Sequence, residues 1–161
     1  MASDIYLKLS GIDGEAQDTD HTNEIEIQSY SLGVTNTGSG AVGKGSGASK
    51  SDFTDLSVSK IMDKSSVGIA LACATGKHLD EATLTVRKAA GDTPLDYLKI
   101  KMTEVFITSY HNGASDGGGI AQESVSLNFS KIELTYNPQG SAGTGEGDIV
   151  KSYNVKTHEA S

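Results

Sequence analysis

The apolar alternation of this chain changes sides three times. Ile25 and Ile27 keep one parity, whereas Tyr30, Leu32 and Val34 keep the other. Leu98, Ile100 and Met102 give way in the same manner to Val105 and Ile107, and Val125, Leu127 and Phe129 to Ile132, Leu134 and Tyr136. Successive side chains of a strand point to opposite faces, so a parity change needs a bulge or a passage from one sheet to another. Three long strands of this kind predict a mainly β fold, either a tight β-barrel or a two-sheet antiparallel sandwich. Ile5, Leu7 and Leu9, and likewise Ala82, Leu84 and Val86, alternate without a break and predict simple amphipathic strands. Further strands are expected at 95–110, 122–136 and 148–157.

One segment departs from this pattern. The spacing predicts a short α-helix over 65–75, capped by Ser65 or Ser66, with Val67, Ala70, Leu71 and Ala74 sharing one face and Ile69 and Cys73 beside them. Gly76 supplies a left-handed stop. The 161 residues fit a single domain spanning 1–161, and with no Trp and only three Phe its core must come from Ile, Leu, Val and Ala. The lone Cys73 cannot form an intrachain disulfide and is read as a small buried hydrophobe. Two glycine-dense segments, an extended arm at 36–50 and a loop at 112–119, are too poor in apolar residues to form cores of their own.

Several classes of function are disfavoured. A net charge of −8 repels phosphate backbones, which argues against a nucleic-acid partner. Neither a general secretory signal nor a stretch of membrane-spanning length is visible, so membrane insertion is not expected. Gly38-Ser39-Gly40-Ala41-Val42-Gly43 spells a dinucleotide fingerprint and Gly38 to Lys44 nearly a phosphate loop, but Gly45 follows and no helix begins there. Gly113-Ala114-Ser115-Asp116-Gly117, near His111, spells a hydrolase elbow, yet three glycines at 117–119 cannot open a stable helix. Asp13, Glu15, Asp18, Asp20, His21 and Glu24 lack calcium-loop spacing and read as a solvated acidic loop. The histidines at 21, 78, 111 and 158 lack metal-ligand spacing. No catalytic, cofactor-binding or metal-ligating residue is therefore assigned, and an enzyme is not expected.

A set of ordered fragments carries a resemblance. It runs from Asp4-Ile5-Tyr6-Leu7-Lys8 through His21-x-x-Glu24-Ile25-Glu26-Ile27, Ser29-Tyr30-Ser31-Leu32-Gly33-Val34 and Asp55-Leu56-Ser57-Val58. It continues with Ala72-Cys73-Ala74-x-Gly76-Lys77-His78, Ala82-x-Leu84-Thr85-Val86-Arg87-Lys88-Ala89 and Glu123-Ser124-Val125-Ser126-Leu127-Asn128-Phe129. In this order and spacing the chain resembles the Hcp (haemolysin-coregulated protein) family of type VI secretion tube proteins. Val67 stands where the family usually has a proline, and Tyr153 where an aromatic, often Trp, is common.

The resemblance implies a barrel or sandwich flanked by one helix, with six copies in a ring and rings stacked into a tube similar to a phage tail tube. It also implies spike, sheath and baseplate partners, effector cargo in the lumen, no cofactor, and a cytoplasmic protein exported by the machine without a cleaved signal peptide. With Tyr30, Leu32 and Val34 facing the core, Ser29 and Ser31 are expected to face the lumen. The arm carrying Gly38, Gly40, Val42, Gly43, Lys44 and Gly45 is expected to stack the rings. The alternative reading is a ligand- or carbohydrate-binding β-sandwich, against which the 6% aromatic content argues.

Overall fold

A sheet whose members bend from one partner to another organises the chain. The computed structural model describes residues 4–36, 51–90, 93–138 and 147–161. In chain order the elements are β1 (Asp4–Leu9), β2 (Ile25–Ile27), β3 (Ser29–Ser31), β4 (Val34–Asn36), β5 (Ser51–Phe53), β6 (Leu56–Ile61), α1 (Ser65–Thr75) and β7 (His78–Ala90). The remainder are β8 (Thr93–Gly113), β9 (Gln122–Asn128), β10 (Lys131–Tyr136), β11 (Ile149–Asn154) and β12 (Glu159–Ala160).

Each parity change marks a change of partner. β2 pairs with β1, and after the single residue Gln28 the chain continues as β3 and pairs with β6. β8 pairs with β10 as far as Thr103, turns at Glu104 (φ 52°), and pairs with β9 from Phe106 onward. β9 and β10 are separated by Phe129 and Ser130; β9 pairs with β6 and the second half of β8, whereas β10 pairs with the first half of β8 and with β11. The path β2–β1–β7–β8–β9–β6–β3 closes on itself because β2 and β3 are nearly continuous. The result is a small antiparallel barrel, with β10, β11 and β12 extending the sheet from the first half of β8.

Leu7, Ile25, Leu56, Leu84, Met102 and Leu127 meet in the barrel interior, together with Ile69 and Ala72 of α1. The helix therefore packs through Ser65, Ser66, Ile69 and Ala72, not through the expected face: Val67 and Leu71 are 64% and 61% exposed and Ala74 is also exposed. The two serines take the buried face because their partners are there: Ser66 bonds to Lys60 of β6 and Glu123 of β9, and Ser65 to Asp63. Neither serine caps by its own side chain in the expected way. Asp63 accepts the Ser65 N–H (2.9 Å), while its own N–H donates to Ser66 Oγ (3.1 Å), a reciprocal arrangement one turn earlier. Gly76 ends the helix at φ 66°, as anticipated. Cys73 is half-buried against the core.

The extension differs from expectation as well. Leu134 and Tyr136 continue the inward parity of Ile132 but are 39% and 45% exposed, because β10 has passed the end of the barrel. Val34 is likewise exposed, since β4 leaves the barrel to pair with β5.

One polar cluster lies inside the barrel. Lys60 and Glu123, adjacent in register on β6 and β9, are both fully buried. The Lys60 ammonium reaches Glu123 Oε1 (2.7 Å), Asp63 Oδ1 (3.0 Å) and Ser66 Oγ (3.1 Å), so its three protons all have acceptors. Glu123 also accepts from the Ser66 hydroxyl (2.6 Å), the Asn112 amide (2.8 Å) and the Tyr110 hydroxyl. Burial alone would raise the Glu123 carboxyl, but the hydrogen bonds from Lys60, Ser66, Tyr110 and Asn112 outweigh it and lower the pKa to about 2. This network ties β6, β9, β8 and the start of α1 together.

Removing one partner leaves the other charged and buried, so Lys60→Met is expected to cost about 3–5 kcal/mol in urea unfolding, with much of the loss restored in Lys60→Met/Glu123→Leu. A carboxyl depressed in the folded state stabilises above the ordinary carboxyl range, and that stability is lost as pH falls toward the folded value. Glu123→Gln should accordingly flatten the fall in stability between about pH 4.5 and 2, measured by denaturant midpoints across that window.

Candidate assembly surface

Three strands carry serine on alternate positions, Ser29-Tyr30-Ser31, Ser57-Val58-Ser59 and Ser124-Val125-Ser126, and β8 carries Ser109-Tyr110-His111. Register brings them into two straight rows. One row reads Ser29, Ser59, Ser124, His111 across β3, β6, β9 and β8; the next reads Ser31, Ser57, Ser126, Ser109. The intervening Tyr30, Val58, Val125 and Tyr110 point the other way, into the core. Ser29 and Ser59 hydroxyls lie 2.5 Å apart, and those of Ser57 and Ser126 3.3 Å apart. A shallow depression of about 440 Å³ runs over this field.

Such a face has a definite chemistry. It offers hydroxyls that both donate and accept, exposes no carboxylate in either row, and has His111 as its one ionisable side chain. Its two edges are also distinctive. Among the described residues β3 pairs with β6 alone, and beyond Phe106 β8 pairs with β9 alone, so each edge carries unpaired backbone groups. A neutral sheet with two unpaired edges is suited to edge-to-edge assembly of copies.

Ser29 and Ser31 are exposed on this face, on the side opposite Tyr30, as the parity implied. The serines at 57, 59, 109, 124 and 126 were not assigned from sequence. The recurring Ser-x-Ser was visible, but only the cross-strand register shows that the pairs are neighbours. The residues expected to stack rings, Gly38, Gly40, Val42, Gly43, Lys44 and Gly45, lie outside the described residues. At the foot of the arm, β4 pairs with β5, Phe53 packs against Tyr153 (ring centroids 5.5 Å), and Ser51 Oγ donates to the Tyr153 hydroxyl (2.7 Å). Tyr153 thus packs on β5 and hydrogen-bonds to it.

The glycine motif at 38–44 lies outside the described residues. Ser115 sits in the turn of the β8–β9 hairpin, its carbonyl accepting the Gly118 N–H (3.0 Å), and no helix starts there. The acidic segment at 13–24 is solvated only in part: Asp13, Glu15 and Asp20 are exposed, whereas Asp18, His21 and Glu24 are drawn into contacts with the barrel. Arg87 on β7 holds Asp18 (2.9 Å), Asp20 (3.2 Å) and Asp96 (2.8 Å). His21 lies between Glu24 (2.8 Å) and Asp96 (3.1 Å) and stacks on Tyr6 at 4.5 Å. The loop thereby covers the outer face of β1 and β7, which explains why Thr85 and Arg87 are buried along with Leu84 and Val86. Gly14 is required where the loop crosses β2: a Cβ there would lie 2.6 Å from Ile25 Cα. The Asp20 backbone N–H, and after it Arg87, hold the Asp18 carboxyl below its usual range. Among the described residues no group of three or more His, Cys, Asp or Glu is arranged to hold a metal.

The described residues thus form a small β-barrel with a neutral hydroxyl face and two sheet edges that carry unpaired backbone groups. Comparison with known proteins identifies its kind. The family model described as type VI secretion system effector, Hcp, matches residues 6–136. Protein hcp1 of Pseudomonas aeruginosa is 38% identical over 157 residues, covering 97% of each chain. The crystal structure of Hcp1 from Salmonella typhimurium is 34% identical over the whole of both chains, with a TM-score of 0.82. A solved type six secretion system protein is 30% identical over 99% of this chain and 100% of its own, with a TM-score of 0.88. The chain belongs to the Hcp family. It is a secreted tube protein of type VI secretion and not an enzyme. No helix among the described residues is long and apolar enough to cross a membrane.

Arg87→Gln should detach the loop at 13–24 while leaving the barrel folded. Faster amide hydrogen exchange at Gly14, Ala16 and Asn23, whose N–H groups are bonded within the loop or to its end, is the expected readout.

Proposed function

We propose that the chain, acting as one domain, forms a ring of six copies whose serine face lines the lumen, and that such rings stack into the type VI tube. The observation that carries this reading is the four-stranded hydroxyl-faced sheet with both edges unpaired. β3, β6, β9 and β8 alternate in direction, so placing the β8 edge beside the β3 edge of the next copy continues the antiparallel order. Contacts between unlike patches close into a ring when the rotation fits.

Six such sheets give about 24 strands. At ~4.8 Å per strand the wall is ~115 Å around and ~37 Å across, before strand tilt widens it. A channel of that width admits small folded proteins. Ser29 and Ser31 are its cargo-facing residues in this reading, joined by the serines of β6, β8 and β9. Hydroxyls offer exchangeable hydrogen bonds without strong fixed charge, which suits a wall that must hold and then release effectors.

The arm over 36–50 stacks one ring on the next, its foot set on Tyr153. The tube's further partners are the spike at its tip, the baseplate and the sheath that drives it. The protein is cytoplasmic before firing and leaves through the machine without a cleaved signal peptide. Six copies carry a formal charge of about −48, so the ring interfaces must offset a sizeable repulsion, which added salt weakens.

Light scattering on a gel-filtration column tests the ring directly. A mass near six times that of one chain, with annular particles in micrographs, is expected; a clean monomer at high concentration would reject the reading.

A further inference from the structure

Asn112 and Gly113, the last two residues of β8, form the one Asn-Gly step in the sequence. Both are exposed and line an open depression of about 340 Å³, so water reaches them. They also stand where local opening is easiest. β8 ends here, and beyond Phe106 it pairs with β9 alone among the described residues. Glycine matters through what it lacks. A Cβ after an asparagine shields the main-chain nitrogen that can attack the carboxamide, and glycine removes the shield and frees the backbone. Nothing in the fold requires glycine at this position: its φ is not left-handed, and a Cβ built on Gly113 meets no atom within 4 Å.

We propose that Asn112 is a self-modification site, deamidated through cyclisation with the Gly113 nitrogen. That nitrogen loses its proton to solvent base and bonds to Asn112 Cγ, while Nδ2 departs as ammonia and takes up the proton. Water then opens the five-membered imide. Cleavage at Cγ leaves aspartate; cleavage at the main-chain carbonyl leaves isoaspartate. The chain, water and hydroxide are the only reactants.

The position gives this change a consequence. Asn112 Nδ2 donates to Glu123 Oε2 (2.8 Å), and Glu123 is the carboxylate of the buried pair with Lys60. Deamidation removes that donor and sets a second carboxylate against Glu123. Lys60 has no proton left for it, since all three already reach Glu123, Asp63 and Ser66. Two carboxylates at one site disfavour double ionisation, so the modified pair holds a shared proton. Isoaspartate further lengthens the main chain at a residue paired with Glu123. Ageing of one exposed amide thereby loosens the joint of β8, β9, β6 and α1.

Incubation at mildly alkaline pH, followed by peptide mass mapping, tests the chemistry. The fragment holding Asn112 should gain the amide-to-acid mass difference, with isoaspartate present, ahead of fragments holding Asn23, Asn128 and Asn154. Gly113→Ala should suppress the gain and keep the fold. Equal conversion in wild type and Gly113→Ala, or an intact Asn112 while other asparagines convert, overturns the site. Denaturant titrations read the consequence separately. Asn112→Asp should lower the folding equilibrium constant about tenfold at neutral pH, the scale of a lost hydrogen bond to a charged group. A carboxyl whose proton is held more tightly in the folded state destabilises above the ordinary carboxyl range, so the loss should shrink as pH falls toward that range. Asn112→Ser adds no charge and should show no such recovery. Aged wild type supplies the same titration should Asn112→Asp not fold. If aged protein matches fresh protein at every pH, the modification is silent and the proposed loosening is wrong.

Discussion

The requirement that β8 serve two neighbourhoods governs the architecture. Its first half, flanked by β7 and β10, extends the sheet; its second half, joined to β9, becomes an edge of the serine sheet. The turn at Glu104 lets Met102 and Val105, on opposite parities, both reach the core. Without that bend one half of the strand would expose its apolar side chains, and the barrel would have no way to close. The nearly continuous β2 and β3 solve the same problem at the other edge.

Two ionic clusters stiffen this frame in different ways. The Lys60–Glu123 pair is dry and fully satisfied, and it binds the end of the serine sheet to α1. A buried pair of this kind is costly to desolvate, so its worth lies in fixing the relative placement of four elements more than in net stability. The Arg87 cluster works from outside, using two carboxylates of the acidic loop and Asp96 of β8 to cover an otherwise exposed strand face. One cluster holds the wall that meets the lumen in the proposed ring, the other the side away from that face.

The serine field and the interior share the same strands, and this economy makes the surface definite. A strand with apolar residues on one parity and serine on the other cannot slip by one residue without burying hydroxyls and exposing Val58, Val125 and Leu127. The core therefore sets the register that aligns the rows. The neutrality of the face also matters in a chain of net charge −8, because the two serine rows carry none of its carboxylates.

Alternation, the parity switches, the lone helix at 65–75 and its Gly76 stop were legible from residue order, since each depends on local periodicity or one backbone angle. So was the outward direction of Ser29 and Ser31, which follows from Tyr30 facing inward. The helix face was misjudged because Val67 and Leu71 are more apolar than Ser65 and Ser66; local hydropathy cannot anticipate a buried ammonium and carboxylate that require hydroxyl partners. The anchoring of the acidic loop was missed for a similar reason, as Arg87 and Asp96 are far from it along the chain. Patterning alone determined which strands bend and which side faces inward within the barrel, though not beyond its end at Val34, Leu134 and Tyr136. Only three-dimensional pairing decided which strands neighbour one another, and hence that scattered serines form a surface, because register between distant segments arises from packing and not from periodicity within either one.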